Sequence, residues 1–368
     1  MQTSLKKWRD DLHQIPEAGL KEVKTTAYLM RELKKMGYDP QKCLNTGCYV
    51  YIDMKAEKTI AFRSDIDGLE VNECSDHPTP SKHPGMMHAC GHDGHMACLL
   101  GLAKALQEKT PIYNVLLIFQ PAEEHPGGAR LIVESGLLEK YHVSAIFGLH
   151  LMPSVEAGKI GLKEGPLMAQ CGELDVKITG RGSHAGMPQL GIDTIMIASQ
   201  LMNMYHTILT RSISPLQNAI IHIGQIEGGT ARNSVAEVTS IHGTIRAYDE
   251  NIFNYITAMI RKMNDAMADI YHCSIETSCP PLYPPVINDR KLCAQMFNFM
   301  DVIHLTEPLM LAEDFSFYQK AVPGVFMFLG TKTKKYHASL HAAQFNFDPE
   351  VLQRGVEAYL EILDHIKL

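Results

Sequence analysis

The segment Met87–His95 reads Met-His-Ala-Cys-Gly-His-Asp-Gly-His, with three histidines, a cysteine and an aspartate in nine residues. No other stretch of the chain is as dense in metal-binding atoms. A thiolate at Cys90 and an imidazole at His92, with Gly91 between them to allow close backbone approach, can hold a transition metal from a short loop. His95 follows three residues on, one helical turn away if a helix begins here. The cluster comes after a strand-like run and before an apolar helical one, Met96–Leu106. That places it at a strand-to-helix edge, where α/β proteins build their sites.

Two further patterns fall at comparable places. Gln120-Pro121-Ala122-Glu123-Glu124 directly follows the apolar run Val115–Phe119. Adjacent acids at the end of a buried strand are costly unless a cation meets them. On a loop their side chains point in different directions, so one can bind a metal while its neighbour faces a substrate. The run Ile146–Leu149 likewise ends on a histidine, His150. Donors at the ends of consecutive strands would lie on one edge of one sheet.

The elements needed to carry them are visible in the apolar spacing. Ser4–His13 and Lys21–Met36 read as helices, the second stopped by Gly37. Val50–Asp53, Ile60–Arg63, Asn114–Gln120 and Ser144–His150 read as strands, with helices over Met96–Leu106 and Ala129–Gly136 between them. Strands alternating with helices imply a parallel or mixed sheet covered on both faces. The middle of the chain changes character. A half-exposed strand over Glu173–Thr179 precedes a helix from Ile192, strands Ala219–Ile226 and Val235–Arg246, an amphipathic helix from Ile252 to Ile270, and a strand Cys273–Thr277. The order β-α-β-β-α-β is that of a ferredoxin-like unit. We expect it as an insertion over residues 167–276 in an α/β catalytic domain made of residues 1–166 and 277–368.

At 368 residues, 45% apolar and 20% charged, the chain can bury substantial cores. A net charge of -7 without long runs of one sign argues against nucleic acid or an anionic membrane surface as partner. The polar start and the lack of an apolar run of about 20 residues lead us to expect a cytoplasmic protein. Nine scattered cysteines suit reduced thiols rather than a disulfide framework.

Over essentially its whole length the chain resembles the aminoacylase-like dinuclear metallo-amidohydrolases. That branch includes hippurate hydrolases, N-acetyldiaminopimelate deacetylases and plant auxin-conjugate hydrolases. The resemblance runs from Leu12-His13-Gln14-Ile15-Pro16-Glu17 through Arg63-Ser64-Asp65-Ile66-Asp67-Gly68-Leu69, the Cys90 cluster and Gln120–Glu124 to Ser183-His184-Ala185-Gly186. It continues through Gly228–Asn233, Gly243–Arg246, Ala312-Glu313-Asp314-Phe315 and Ser339-Leu340-His341. Two departures stand out. Glu70 follows Leu69 where the family has proline, and Ala312 precedes Glu313 where it has glycine.

The resemblance implies a zinc-peptidase-like mixed-sheet catalytic domain with the inserted unit as a lid that pairs two subunits. It implies two divalent ions per chain, zinc or manganese, with cobalt or nickel as further possibilities. Cys90 would bridge them, His92 and His150 would complete one position, and Glu124 and His341 the other. Together the ions would acidify a water and polarise the scissile carbonyl. Glu123 would take the proton from that water and pass it to the leaving amine. Asp67 and Asp93 would orient ligand imidazoles. His184 would stabilise the oxyanion from a partner subunit, and Asn233 and Arg246 would hold the substrate carboxylate.

The expected activity is therefore hydrolysis of an N-acyl-L-amino acid by a homodimer. A dipeptidase on the same centre and a catalytically silent binding protein are the alternatives, although the silent protein should have lost ligands or Glu123, and none is missing. Pro126-Gly127-Gly128 is similar to N-acetyldiaminopimelate deacetylases. His184-Ala185-Gly186 with Gly191-Ile192-Asp193 resembles general N-acetyl amino acid deacetylases, and the choice between these substrates stays open.

Overall fold

The computed structural model describes residues 1–74 and 77–368. Ser75 and Asp76, within the loop 71–85 that Glu70 introduces, lie outside the described residues. The chain divides into two compact units, Met1–Leu167 with Val286–Glu307 and Glu313–Leu368, and Met168–Pro285 with Pro308–Ala312.

The first unit opens with helices α1 (Gln2–His13) and α2 (Val23–Lys35). Strands β1 (Gln41–Cys43), β2 (Gly47–Ile52) and β3 (Thr59–Asp65) follow, then α3 (His92–Ala105), β4 (Asn114–Gln120), α4 (Gly128–Glu134) and β5 (Val143–Glu156). In the sheet the order is β1-β2-β4-β3-β5, continued by Gly324–Lys332 and two short strands. β3 runs parallel to both β4 and β5, and β5 parallel to Gly324–Lys332, while β2 and β4 are antiparallel. The sheet is mixed, and this is an α/β fold.

Every residue of β3 and β4 is buried, the pattern of strands covered on both faces. One cover is α3, buried from His92 to Ala103. With no exposed face it shows no amphipathic rhythm, so the sequence pattern reveals only its apolar part from Met96, while the helix begins four residues earlier. It fits closely between α1 and the C-terminal helix Leu352–His365. A Cβ on Gly101 would lie 2.5 Å from Val356 Cγ2 and 2.8 Å from Leu5 Cδ2.

β5 does not stop at His150 as its apolar run suggests. It pairs with Gly324–Lys332 out to Glu156, whereas its pairing with β3 ends at Arg63 and Gly148. His150 therefore lies just past the last paired position of β3, within a strand that the neighbour on its other side keeps straight.

In the second unit four strands lie antiparallel in the order Ala219–Gly228, Val238–Ala247, Gln170–Thr179, Ser274–Ser278. Helices Thr194–Thr207 and Glu250–Tyr271 provide the α elements of a β-α-β-β-α-β chain order. Leu174, Val176, Ile178, Leu201, Tyr205, Ile241, Phe253 and Ile260 form its core. Asp193 and Asp249 cap the two helices through their carboxylates. The return segment 308–312 joins this unit by backbone and side-chain bonds, among them Ala169 N–H to the Leu311 carbonyl at 2.8 Å.

Candidate metal centre

Cys90 and Gly91 form the turn into α3, and Gly91 at φ +87° is the residue that precedes the helix. A side chain there would meet Leu151 at 3.0 Å, so glycine is demanded both by conformation and by space. The turn presents the Cys90 thiol beside the first helical residue, His92.

Two sets of three donor atoms converge here, Cys90–His92–His150 and Cys90–Glu124–His341, each with all its atoms within 4.8 Å of one another. Cys90 is common to both. Its Sγ lies 3.4 Å from His150 Nε2 and 3.3 Å from His341 Nε2, and His341 Nε2 is 3.2 Å from Glu124 Oε1.

The hydrogen bonds select which imidazole nitrogen is offered. His92 Nδ1 donates to the Asp67 carbonyl oxygen at 2.9 Å, and His150 Nδ1 donates to the Leu151 carbonyl oxygen at 2.8 Å. Both rings are thereby left with Nε2 as the lone-pair nitrogen, the arrangement that metal-binding histidines need, that of His150 beside the Cys90 sulfur and that of His92 3.9 Å from Glu124 Oε1. His92 Nε2 is buried and has no hydrogen-bond partner among the described residues. A buried nitrogen left open beside a thiol, an imidazole and carboxylates fits a divalent cation.

Charge supports the same fit. Burial opposes protonation of His92, yet Asp65, Asp67 and Glu124 push its pKa up to about 10. The pocket thus carries an excess of negative potential. His150 is held well below the usual imidazole value by burial and by His95, so it stays neutral, as a ligand should be. Burial, followed by the nearby carboxylates Glu124, Glu123 and Asp65, pushes the Cys90 thiol well up. Without a cation it keeps its proton, and binding would release it.

The two sets differ in exposure. Cys90, His92 and His150 are all buried, whereas the side chains of Glu124 and His341 are 19% and 52% exposed.

Glu123 is buried at the same centre, with a Glu123 carboxylate oxygen, one of Glu124 and a His92 nitrogen all within 4.8 Å of one another. Burial, then Glu313, Glu124 and Asp314, raises its pKa well above the carboxylate range. Its Oε1 accepts the Asp314 amide at 3.4 Å. A buried carboxyl whose pKa is raised in this way is suited to exchanging a proton.

Around it lies a network of residues from the Arg63–Leu69 and Ala312–Phe315 motifs, to which the sequence alone assigns no role. Arg63, fully buried, donates to Gln120 Oε1 at 2.7 Å, Asp65 Oδ2 at 2.9 Å and Asp314 Oδ1 at 2.8 Å, and lies 3.1 Å from Glu313. Asp65 also accepts from His95 Nδ1 at 2.6 Å, and His95 Nε2 accepts the Leu151 amide at 2.8 Å. Asp65–His92–His95 and Glu123–Glu313–Asp314 are likewise close enough to hold an ion. In these sets Asp65 is already engaged by Arg63 and His95, His95 by the Leu151 amide and Asp314 by Arg63, while His92 Nε2 is left open to the Cys90 side. The available signal was the placement of Arg63 and Asp65, charged residues at the end of a wholly buried strand.

Asp67 serves His92 through its backbone carbonyl, and its carboxylate accepts the Glu124 amide at 3.0 Å. Asp93 does not face a ligand imidazole. It accepts from Arg9 Nε at 2.9 Å and from His13 Nδ1 at 2.8 Å. Being one helical position from His92, it points about 100° away around the axis.

His184, Asn233 and Arg246 belong to the second unit. His184 is exposed on the two-residue strand Ser183–His184, paired with Ser234–Val235, so Asn233 adjoins it. Its Nδ1 accepts the Gly186 amide at 3.0 Å. Arg246, on the strand Val238–Ala247, donates from Nη1 to the Met310 carbonyl at 2.6 Å.

Sheet, donor set and buried carboxyl together define a metal-dependent hydrolase of amide bonds. The chain belongs to peptidase family M20/M25/M40, whose sequence model matches residues 61–365. It is 35% identical over 364 residues to the N-acetyldiaminopimelate deacetylase of Listeria monocytogenes serovar 1/2a, covering 97% of each chain. It is 36% identical over 367 residues to IAA-amino acid hydrolase ILR1-like 4 of Arabidopsis thaliana, covering 95% of this chain and 83% of that one. Among solved structures it is similar to Bacillus subtilis YXEP, a dinuclear metal-binding peptidase of the M20 family. The TM-score is 0.86 and the identity 31%, with 99% of each chain covered. Among the described residues no helix is long and apolar enough to cross a membrane.

Proposed function

We propose that the protein hydrolyses the amide bond of N-acyl-L-amino acids, releasing a carboxylate and a free amino acid. The observation that carries this reading is the pair of donor sets sharing Cys90, with the buried Glu123 beside them. Cys90, His92 and His150 would hold one divalent ion, and Cys90, Glu124 and His341 a second. When bound, such ions supply a polarised carbonyl and an acidified water.

The remaining steps belong to the chain's own residues. Glu123 accepts the proton of the attacking water and delivers it to the leaving nitrogen, which departs as an amine. Its buried position next to Asp314 N–H and Arg63 keeps bulk water from competing for that proton. Arg246 and Asn233 receive the substrate carboxylate, the guanidinium arm being steadied by the Met310 carbonyl. His184 stabilises the oxyanion, reaching the active site of a second copy in a homodimer formed through the lid, residues 168–285. Thiolate ligation suits zinc, and the mixed sulfur, nitrogen and oxygen set also accommodates manganese, cobalt or nickel. A cytoplasmic setting matches nine cysteines that are all unpaired.

The Listeria relative is named for an N-acetylated amino acid and the Arabidopsis relative for IAA-amino acids, so acylated amino acids are the substrate class to test. The experiment is turnover of a panel of acetyl, benzoyl and larger acyl amino acids, N-acetyldiaminopimelate included. It uses protein reconstituted with zinc, manganese or cobalt, with dipeptides as the contrasting set. Faster turnover of dipeptides than of every acyl amino acid would overturn the assignment.

A further inference from the structure

The adjacent residues Glu123 and Glu124 must each be placed accurately, and the turn from which they project is unusually constrained. Ala122 has φ +57°, a left-handed conformation that side-chain-bearing residues adopt only when the surroundings hold them there. The backbone groups around it are accounted for one by one. The Ala122 carbonyl accepts the amides of Gly127 and Gly128 at 3.0 and 2.8 Å. The Glu124 amide goes to the Asp67 carboxylate. The Ala122 amide donates to Glu22 Oε1 at 2.8 Å, across 100 residues of sequence.

Glu22 is the residue that precedes α2 and is completely buried. Its other oxygen accepts the Thr46 hydroxyl at 2.6 Å. The segment leading to it fits against the same turn, since a Cβ at Gly19 would lie 2.3 Å from the His125 carbonyl oxygen and 2.9 Å from Ala122 Cβ. A buried carboxylate is costly unless its acceptor sites are used. Both oxygens here are used, one of them on the backbone of the strained residue. Remove that acceptor and the Ala122 amide is left buried and unsatisfied. The cheapest relaxation returns φ to negative values and swings the Cα–Cβ bonds of the two following residues.

We propose that Glu22 is a positioning residue for Glu123 and Glu124, fixing through the Ala122 amide the turn from which both project. The inference rests on the roles assigned to that pair above. What matters is reach rather than charge. Glu22→Gln keeps an acceptor at the same distance and can donate its amide to the Thr46 oxygen. Glu22→Asp keeps the charge but is one methylene too short.

The test compares both variants, loaded with metal, in kcat, KM and metal content. Glu22→Gln should keep kcat within about threefold of wild type. Glu22→Asp should lose about tenfold to a hundredfold in kcat, the scale of a misplacement near 1 Å, with KM within about twofold and the ion at Glu124 held more weakly. A Glu22→Asp enzyme as active as wild type would overturn the proposal, as would a Glu22→Gln enzyme as impaired as Glu22→Asp. Should Glu22→Asp fail to fold, the amide proton of Ala122 decides the matter in 15N-alanine-labelled wild-type and Glu22→Gln protein. Its resonance should move when the charged acceptor becomes neutral, and an unmoved resonance refutes the contact. This signal needs no substrate, so a wrong substrate class would show as inactive wild type while the amide result stands.

Discussion

The metal-side turn of the first unit and the His184–Asn233–Arg246 group of the second are built in opposite ways. Around Cys90 and Glu123 the side chains are buried, ring nitrogens are committed by hydrogen bonds, and even a strained backbone amide has a carboxylate waiting for it. His184, by contrast, stands exposed on a two-residue strand, and its ring nitrogen accepts a neighbouring amide two residues on. The first region is prepared in advance for charge to develop. The second leaves His184 exposed, as the proposal that it serves a second copy of the chain requires. Preorganisation lowers the cost of chemistry, while an exposed group keeps its freedom to meet a partner.

The largest effect expected on this contrast comes from Cys90→Ala. Removing the atom common to both donor sets should abolish turnover and release both ions. Elemental analysis finding at most one metal in fully active wild-type protein would break the two-ion reading.

Next comes the second region. Glu123→Gln and His184→Ala should each be inactive, and mixing them should restore activity to roughly a quarter of wild type. Random exchange makes about half the dimers mixed, each with one intact site under symmetric pairing. A mixture no more active than the sum of its parts, after verified exchange, would place His184 in its own chain's site or in none.

Exposure predicts a smaller, kinetic asymmetry within the centre itself. The Glu124–His341 position is open to solvent and the His92–His150 position is not. Chelator should therefore remove metal in two phases, with cobalt absorption reporting the faster loss from the open position. A single phase, or faster loss from a His341→Ala-insensitive position, would contradict the assignment.

The legibility of these regions follows the same division. Cys90, His92, the Glu123–Glu124 pair and His150 stand in short motifs beside apolar runs, so residue type and local pattern single them out, whereas His341, in a loop, and the choice of Glu124 as the ligand came from the resemblance. The start of α3 was hidden because a helix buried all round has no polar face to mark its period. The extent of β5 was hidden because the neighbour that prolongs it is Gly324–Lys332, far away in sequence. Arg63 meets Asp314 across 251 residues, and Glu22 meets Ala122 across 100. Pairings of that kind leave no trace in a single chain read locally. Asp93 misled for a simpler reason, since adjacency to a ligand on a helix means pointing elsewhere.

The smallest predicted effect concerns stability. Burial raises the Glu22 pKa from an ordinary 4.5 to about 7. A folded value above the unfolded one means that the protonated form favours folding. The contribution is full below about pH 4.5 and is lost as pH rises through about 7. In metal-free protein, wild type should therefore lose Tm relative to Glu22→Gln across that window, by a few degrees at most, and level off above it. A difference in Tm that does not change with pH would show that Glu22 is not titrating there.

The central claim is that two adjacent glutamates projecting from one turn have different tasks, because Glu123 is buried against the Asp314 amide while Glu124 is partly open to solvent beside His341. It is tested most directly by measuring metal content and kcat together in Glu123→Gln and Glu124→Gln. The account predicts that Glu123→Gln keeps both ions and loses about 10²–10⁴-fold in kcat, the usual worth of a general acid–base group. Glu124→Gln should weaken one ion. Equal metal loss in the two variants, or a Glu123→Gln enzyme with near wild-type kcat, would contradict it.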